Sequence, residues 1–91
     1  NPSNWEVAIS YPTGATQKAA IRYRDGVIYP AINEVRSGTM VIDRVGRMHV
    51  VFDGHPKVAS GEALLEKPAK GPWEGVLLQP TGRSSISIKR R

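Results

Sequence analysis

The chain has 91 residues, of which 40% are hydrophobic and 23% are charged. This composition is typical of one small globular domain, and a core of this size leaves little room for a large buried enzyme cleft. The chain has no cysteine, which excludes disulfides, thiolate metal sites and cysteine nucleophiles. No apolar stretch reaches the roughly 20 residues that a membrane-spanning helix needs.

The charge of the chain is positive and uneven. Thirteen Lys and Arg residues against eight Asp and Glu residues give a net charge of +5. The last nine residues contain no acidic residue and four of these cations, Arg83, Lys89, Arg90 and Arg91. This excess favours an anionic partner, such as nucleic acid or an anionic surface. The alternative is a solvated tail that only keeps the protein soluble.

The first part of the chain alternates apolar and polar residues between turn signals, which predicts strands with one buried face. The inward sets of the first two predicted strands are Trp5, Val7, Ile9 and Tyr11, then Ala19, Ile21 and Tyr23. Asp25-Gly26 readily adopts the positive φ of a tight hairpin, so residues 27–29 are predicted to return antiparallel to the second strand. Over residues 30–36, Pro30 fits a first helical position and Gly38 offers a stop, which predicts a short helical turn.

The second part repeats the alternation. The next inward sets are Met40 and Ile42, then Met48, Val50 and Phe52, with a turn at 43–46 between them. After a turn at 53–56, residues 61–66 have some helix propensity but are too few for a stable helix, and a strand is predicted. Beyond a loop at 67–72, residues 73–79 are apolar on both faces, which predicts a strand that is at least partly covered on both sides. After a turn at 81–83, the last strand places Ile86 and Ile88 inward.

Seven to eight short strands in series predict an all-β fold, with residues 1–91 forming a single domain. An open sheet would leave exposed edges, so the strands are expected to close as an antiparallel up-and-down β-barrel or as a two-layer sandwich. Trp5 and Trp73 are then expected to plug the core. The alternative is that they line a ligand site, because Trp is also a platform for sugars and bases. A free strand edge could pair two copies, but the sequence specifies no oligomeric state.

Seven short segments form a pattern that covers nearly the whole chain, namely Trp5–Ile9, Ile21–Ile28, Ser37–Ile42, Gly46–Val51, Ala59–Leu64, Gly71–Gly75 and Lys89–Arg91. This pattern resembles a group of small secreted proteins of rhizobia and related α-proteobacteria. The resemblance implies an exported all-β module with no known activity, and it brings no catalytic residue with it. Such proteins often carry cysteines in the first hairpin and near the end, where this chain has none.

No pattern in the chain predicts catalysis. Ser84, Ser85 and Ser87 lie on an alternating strand without a Gly-x-Ser-x-Gly elbow, and the glycines are spaced as turns rather than clustered as a phosphate loop. His49, Asp53 and His55 could approach one another around a hairpin end, but their spacing is not specific for a metal. His49 is expected on the solvent side of its strand. We therefore predict no enzyme activity, no cofactor and no metal site.

The sequence thus predicts a non-enzymatic module that acts by surface recognition or as a structural protein of the cell envelope. Its first residue is Asn1, which suggests a processed or trimmed chain, and export to the periplasm or medium is expected, with a cytoplasmic location as the alternative. The candidate binding surface is the basic face of the second and last strands, Arg22, Arg24, Lys89 and Arg91, with Lys18 and Tyr29 on the same side. The alternative function is that of a small β-barrel that binds nucleic acid or another polyanion. The expected partner is an anionic polymer or another protein.

Overall fold

The computed structural model describes residues 3–91, which form eight strands and no helix. The strands are β1 (Ser3–Ser10), β2 (Thr16–Arg24), β3 (Val27–Pro30), β4 (Gly38–Ile42), β5 (Met48–Phe52), β6 (Gly61–Glu66), β7 (Trp73–Gln79) and β8 (Gly82–Arg90). Each strand pairs antiparallel with the next, and β8 pairs with β1. The result is a closed up-and-down barrel, which confirms the all-β prediction and decides between barrel and sandwich. Closure also removes the free strand edge that the sequence left open as a route to pairing two copies.

Successive strands run in opposite directions, so the barrel has two distinct ends. The first end carries the start of β1, the last residues of β8 and the loop from β6 to β7. The second end carries the loop from β3 to β4 and the loop from β5 to β6. At the first end, the β2–β3 hairpin turns through Asp25 and Gly26, with φ angles of 52° and 83°. This confirms the predicted tight turn, in which both central residues have positive φ.

The core fills the barrel with the inward residues of all eight strands, and these are almost entirely apolar. Its fully buried members include Val7, Ile21, Phe52, Leu77 and Ile88. All members of the predicted inward sets except Ile42 are buried in this core or pack against it, because period-two alternation fixes which face of a strand a residue occupies.

Ile42 is an exception to the predicted inward sets. It is the last residue of β4, and its side chain is 53% exposed. The alternation assigns Ile42 to a face, but it does not show that the strand ends there, beyond the packed interior.

The short helical turn predicted over residues 30–36 is wrong. Pro30 ends β3 and pairs with Ile21, and the chain then continues as an irregular loop. Ile32 and Val35 are 80% and 64% exposed, so no apolar surface packs against the loop to stabilise a helical turn. The loop is instead tied to β3, because the Ser37 N–H donates to the Ile28 carbonyl at 2.9 Å.

The two faces of strand β7, both predicted to be at least partly covered, are covered to different extents. Its inner face is covered, but Val76 and Leu78 on the outer face are 39% and 52% exposed in the single chain. Its close approach to β6 depends on Gly75, where an added Cβ would lie 2.0 Å from the Leu64 carbonyl oxygen. Glycine at this position therefore lets the two strands come together.

Candidate anion-binding surface

Closure of the barrel places β1 between β2 and β8, so the two strands that carry the predicted basic residues flank one common strand. On the outer face, Glu6 of β1 pairs with Lys89 of β8 and with Ala20 of β2. Lys18 lies one outward position away on β2, opposite Ala8. The register therefore gathers cations from both ends of the sequence around the Glu6 carboxylate.

Glu6 contacts two of these cations directly. The Lys89 Nζ lies 3.6 Å from Glu6 Oε1, and the Arg91 Nη2 donates to Glu6 Oε2 at 3.4 Å. The hydrogen bond from Arg91 lowers the pKa of Glu6, and the positive charges of Lys89 and Lys18 lower it further. The carboxylate is therefore charged at neutral pH and compensates only part of the positive charge around it.

A cleft at the first end of the barrel adjoins this cluster. It has a volume of about 490 Å³ and is lined by Trp5, Lys67, Gly71, Pro72, Trp73, Ile88, Lys89 and Arg90. Trp5 pairs with Arg90 across β1 and β8, and Trp73 pairs with Ile88 on the other side of β8. Arg90 thus comes from the strand between the two that carry the tryptophans. Lys89 belongs to both the cleft and the Glu6 cluster, so the two features form one surface.

Both tryptophans are only half-buried, although each points to the inner face of its strand. They pack against the core, as predicted, and they also line the cleft. Packing against the core therefore does not prevent the two side chains from lining a cleft, and their role as a ligand platform stays a prediction. The Trp5 indole Nε1 donates to Ser3 Oγ at 2.9 Å, which fixes the orientation of that ring.

The structure divides the four predicted basic residues into two groups. Lys89 and Arg91 lie together at Glu6. Arg22 instead forms an ion pair with Glu34 and donates to the Asn33 carbonyl at 3.2 Å, because the loop after β3 folds over β2. The hydrogen bond from Arg22 lowers the pKa of Glu34. The charge of Arg22 is compensated, and its side chain is only 25% exposed.

Arg24 occupies a separate position on β2. Its guanidinium lies 5.7 Å from the centre of the Tyr29 ring, an arrangement typical of a cation–π contact. The position of Arg24 on the outer face agrees with the prediction, but its contact is with β3 rather than with the Glu6 cluster. The positively charged surface is therefore centred on β8 and β1 instead of on β2.

Arg90 and Lys67 were missed as candidate site residues. Arg90 has the same parity as Ile86 and Ile88, so alternation alone points its side chain to the barrel end. Lys67 gives no such signal, because it lies in a loop. Its Nζ donates to the Gly71 carbonyl at 3.0 Å, which holds it beside the cleft.

The histidines occupy two different environments, and neither joins Asp53 in a metal cluster. His49 is exposed, as predicted, and its Nε2 lies 2.8 Å from Asp43 Oδ2, a hydrogen bond that lowers the pKa of Asp43. His55 is buried with its ring edge-on to Phe52, the ring centres being 6.4 Å apart. Within residues 3–91, no three His, Asp or Glu side chains are arranged to hold a metal ion.

His55 is held as a neutral imidazole. Its Nδ1 accepts a hydrogen bond from the Lys57 N–H at 3.0 Å. A nitrogen that accepts cannot also carry a proton, so the protonated ring would lose this bond. Burial lowers the pKa of His55 below its ordinary value; the Ala20 backbone offsets part of this shift, and the charge of Lys57 adds to it.

Comparison with known proteins adds no assignment. No family model, curated protein or solved structure matches this chain significantly. The resemblance to small secreted rhizobial proteins therefore stays a prediction. In the described part of the chain, no helix is long and apolar enough to cross a membrane.

Proposed function

We propose that the protein is a non-catalytic binding module that recognises an anionic polymer, and specifically single-stranded nucleic acid, along the cleft and the Glu6 cluster. The observation that carries the proposal is the junction of the two features at Lys89. A single strand of nucleic acid that lies along this surface can place its phosphates beside the cations and stack its bases on the tryptophan rings. Proteins that bind single strands without sequence preference combine these two elements.

The charges support an electrostatic contribution to binding. Five cations, Lys18, Lys67, Lys89, Arg90 and Arg91, line the cleft or surround Glu6. One carboxylate, Glu6, compensates part of this charge. Each cation that neutralises a phosphate releases counterions, so the affinity is expected to fall steeply as salt is added.

The aromatic rings support the choice of polymer. A half-buried Trp side chain offers an apolar face on which a base can stack, with an effect of about 1–3 kcal/mol per base. The cleft volume of about 490 Å³ falls within the range of small-ligand sites, about 300–1,000 Å³. Acidic polysaccharides also combine sugar rings with negative charges. A parallel titration with polygalacturonate distinguishes them from nucleic acid.

Two predictions from the sequence stay without a specific structural observation in their favour. Export from the cytoplasm rests on the resemblance to secreted proteins alone. A structural role in the cell envelope rests on the absence of catalytic motifs, and no residue of the described chain argues for it. Recognition of a polymer through the cleft is compatible with either compartment.

The test is a titration of the protein against a fluorescently labelled oligothymidine, followed by anisotropy at several salt concentrations. We expect binding to quench the protein's tryptophan fluorescence. We expect Arg90→Ala to weaken the affinity and to reduce the slope of log affinity against log salt by about 0.7. The matched control is Lys57→Ala, which removes an exposed cation from the second end of the barrel.

Three results would contradict the proposed nucleic-acid binding. An affinity that does not change with salt would exclude phosphate contacts as the basis of binding. Equal effects of Arg90→Ala and Lys57→Ala would show that net charge, and not the cleft, determines the affinity. Tighter binding of polygalacturonate than of oligothymidine would reassign the polymer to an acidic polysaccharide.

A further inference from the structure

The outer surface of the barrel has two sides of different character. Around β8, β1 and β2, alternation gives the expected polar exterior of serines and charged residues. On β6 and β7, the outward positions include Leu64, Val76 and Leu78, which are 44%, 39% and 52% exposed. Leu64 pairs directly with Val76, and Leu78 follows Val76 two residues later on the same strand. We call these three residues the β6–β7 face.

An apolar exterior on these strands departs from the usual pattern of an antiparallel sheet. Such sheets normally alternate between an apolar buried face and a polar solvated face. Contiguous apolar outward residues that are bordered by polar or charged residues mark sites of interaction with a protein, a membrane or a ligand. The outward apolar residues of β7, Val76 and Leu78, therefore make this side of the barrel a candidate interaction surface.

The charges that border the β6–β7 face indicate which molecule covers it. Strand pairing places Glu62 of β6 and Arg83 of β8 on either side of Leu78, in one row across the sheet. Neighbouring strands are about 4.8 Å apart, so these two residues lie at similar distances from β7. Neither forms an ion pair within residues 3–91.

This row is complementary to itself. A two-fold axis that lies between two facing copies and runs parallel to β7 exchanges the β6 side of one copy with the β8 side of the other. Glu62 of each copy then faces Arg83 of its partner, and Leu78 meets the second Leu78 at the axis. A closed interface of this kind uses the same surface patch on both subunits.

We propose that two copies of this chain associate through the β6–β7 face, about a two-fold axis parallel to β7, with Glu62 of each copy paired to Arg83 of the other. A groove of about 500 Å³ lies on this face and is lined by Leu64, Val76, Leu78 and both charged residues. It receives apolar side chains of the second copy. An interface of standard size buries about 800 Å² per partner, which is about one-seventh of the 5746 Å² surface of the single chain.

The pairing leaves the anion-binding surface free. In an eight-stranded barrel, β2 lies opposite β6, and β1 is separated from β7 by β8. Along β8, Arg83 lies at the second end of the barrel and Lys89 lies six residues later, at the first end, so the Glu6 cluster and the cleft are separated from the shared face along the barrel axis. The proposal does not depend on the function proposed above, because it concerns a different surface and is tested without any polymer.

The test is sedimentation equilibrium of the unliganded protein, from micromolar to millimolar concentration, at moderate salt. We expect a reversible transition from the 10.0 kDa chain to twice that mass. Leu78→Lys is expected to raise the dissociation constant at least tenfold, because it places two like charges at the axis. The matched control is Val45→Lys, which introduces the same charge at a turn residue that is 75% exposed and lies outside the face.

A charge exchange tests the proposed geometry. Glu62→Arg alone opposes two arginines, and Arg83→Glu alone opposes two glutamates, so each is expected to weaken the dimer. The double variant restores opposite charges across the axis and is expected to recover at least part of the lost affinity. Thermal melting of each variant checks that the barrel is intact.

Three results would overturn the proposal. A chain that remains monomeric at millimolar concentration does not self-associate through the β6–β7 face, and a different molecule then binds that face. A mass that grows beyond two copies indicates head-to-tail contacts in place of a closed pair. A double variant no tighter than the weaker single variant shows that Glu62 and Arg83 do not face each other.

Discussion

Removing the Glu6 carboxylate from the centre of the anion-binding surface should raise the affinity of the protein for single-stranded nucleic acid. In Glu6→Gln, the side chain keeps its size but no longer attracts Lys89 and Arg91, which lie 3.6 and 3.4 Å from its oxygens. One unit of the positive charge that Glu6 compensates then becomes available for phosphates. The melting temperature should hardly change, because exposed ion pairs contribute little to stability.

The size of the effect follows from the number of cations. Five cations with one compensated by Glu6 act as about four, and each phosphate contact of a single strand contributes about −0.7 to the slope of log affinity against log salt. The slope is then about −2.8 for the native chain and about −3.5 for Glu6→Gln. For a tenfold rise in salt, the affinity falls about 600-fold in the first case and about 3,000-fold in the second.

The assay is anisotropy of labelled oligothymidine, with Asp53→Asn as the matched control. Asp53→Asn also removes a carboxylate that pairs with an arginine, because Asp53 Oδ2 lies 3.8 Å from Arg36 Nη1. This ion pair lies at the second end of the barrel, away from the Glu6 cluster. Both variants change the net charge equally. Equal gains in affinity would mean that only net charge matters, and a loss of affinity in Glu6→Gln would refute the reasoning.

Three further predictions concern the barrel itself. Gly75→Ala should destabilise the protein by about 2 kcal/mol or more in urea unfolding, because the new Cβ would lie 2.0 Å from the Leu64 carbonyl oxygen; unchanged stability would mean that β6 and β7 separate at no cost. Phe52→Ala should cost about 3–5 kcal/mol in the same assay, since the side chain is 1% exposed; a loss below 1 kcal/mol would contradict its place in the core. The stability should fall as the pH drops from about 6.5 through the lowered folded-state pKa of His55, because the unfolded chain then binds more protons. His55→Gln should remove this component from urea melts between pH 7 and pH 5, and an identical pH dependence in the variant would assign it to other groups.

The strand pattern was predictable because it is encoded locally. Alternation and turn signals predicted seven to eight strands and, except at Ile42, the inward residues assigned to them, and Asp25-Gly26 identified its hairpin from the φ angles that these residues accept. The helical turn over residues 30–36 failed for a physical reason. A short helix needs apolar surface to pack against, and the sequence does not reveal that Ile32 and Val35 project into solvent.

The candidate site was predictable only in part. Lys89 and Arg91 were chosen because they are cations on the last strand, and the structure places them together at Glu6. Arg22 was chosen on the same grounds, but the loop after β3 brings Glu34 onto it. Whether a surface cation keeps its charge uncompensated depends on which loop folds over it, and strand periodicity carries no information about that.

The sequence by itself determined the class of the protein, its strand boundaries within a few residues and the composition of its core. Side chains on a strand alternate between two faces, so these properties follow from neighbours along the chain. Only the tertiary structure decided that the sheet closes with β8 beside β1. That closure joins Arg91 to Glu6, 85 residues apart in the chain, and places Arg90 between the strands of the two tryptophans. Such contacts depend on the register of distant strands, which is set by the packing of the whole barrel and not by any local pattern.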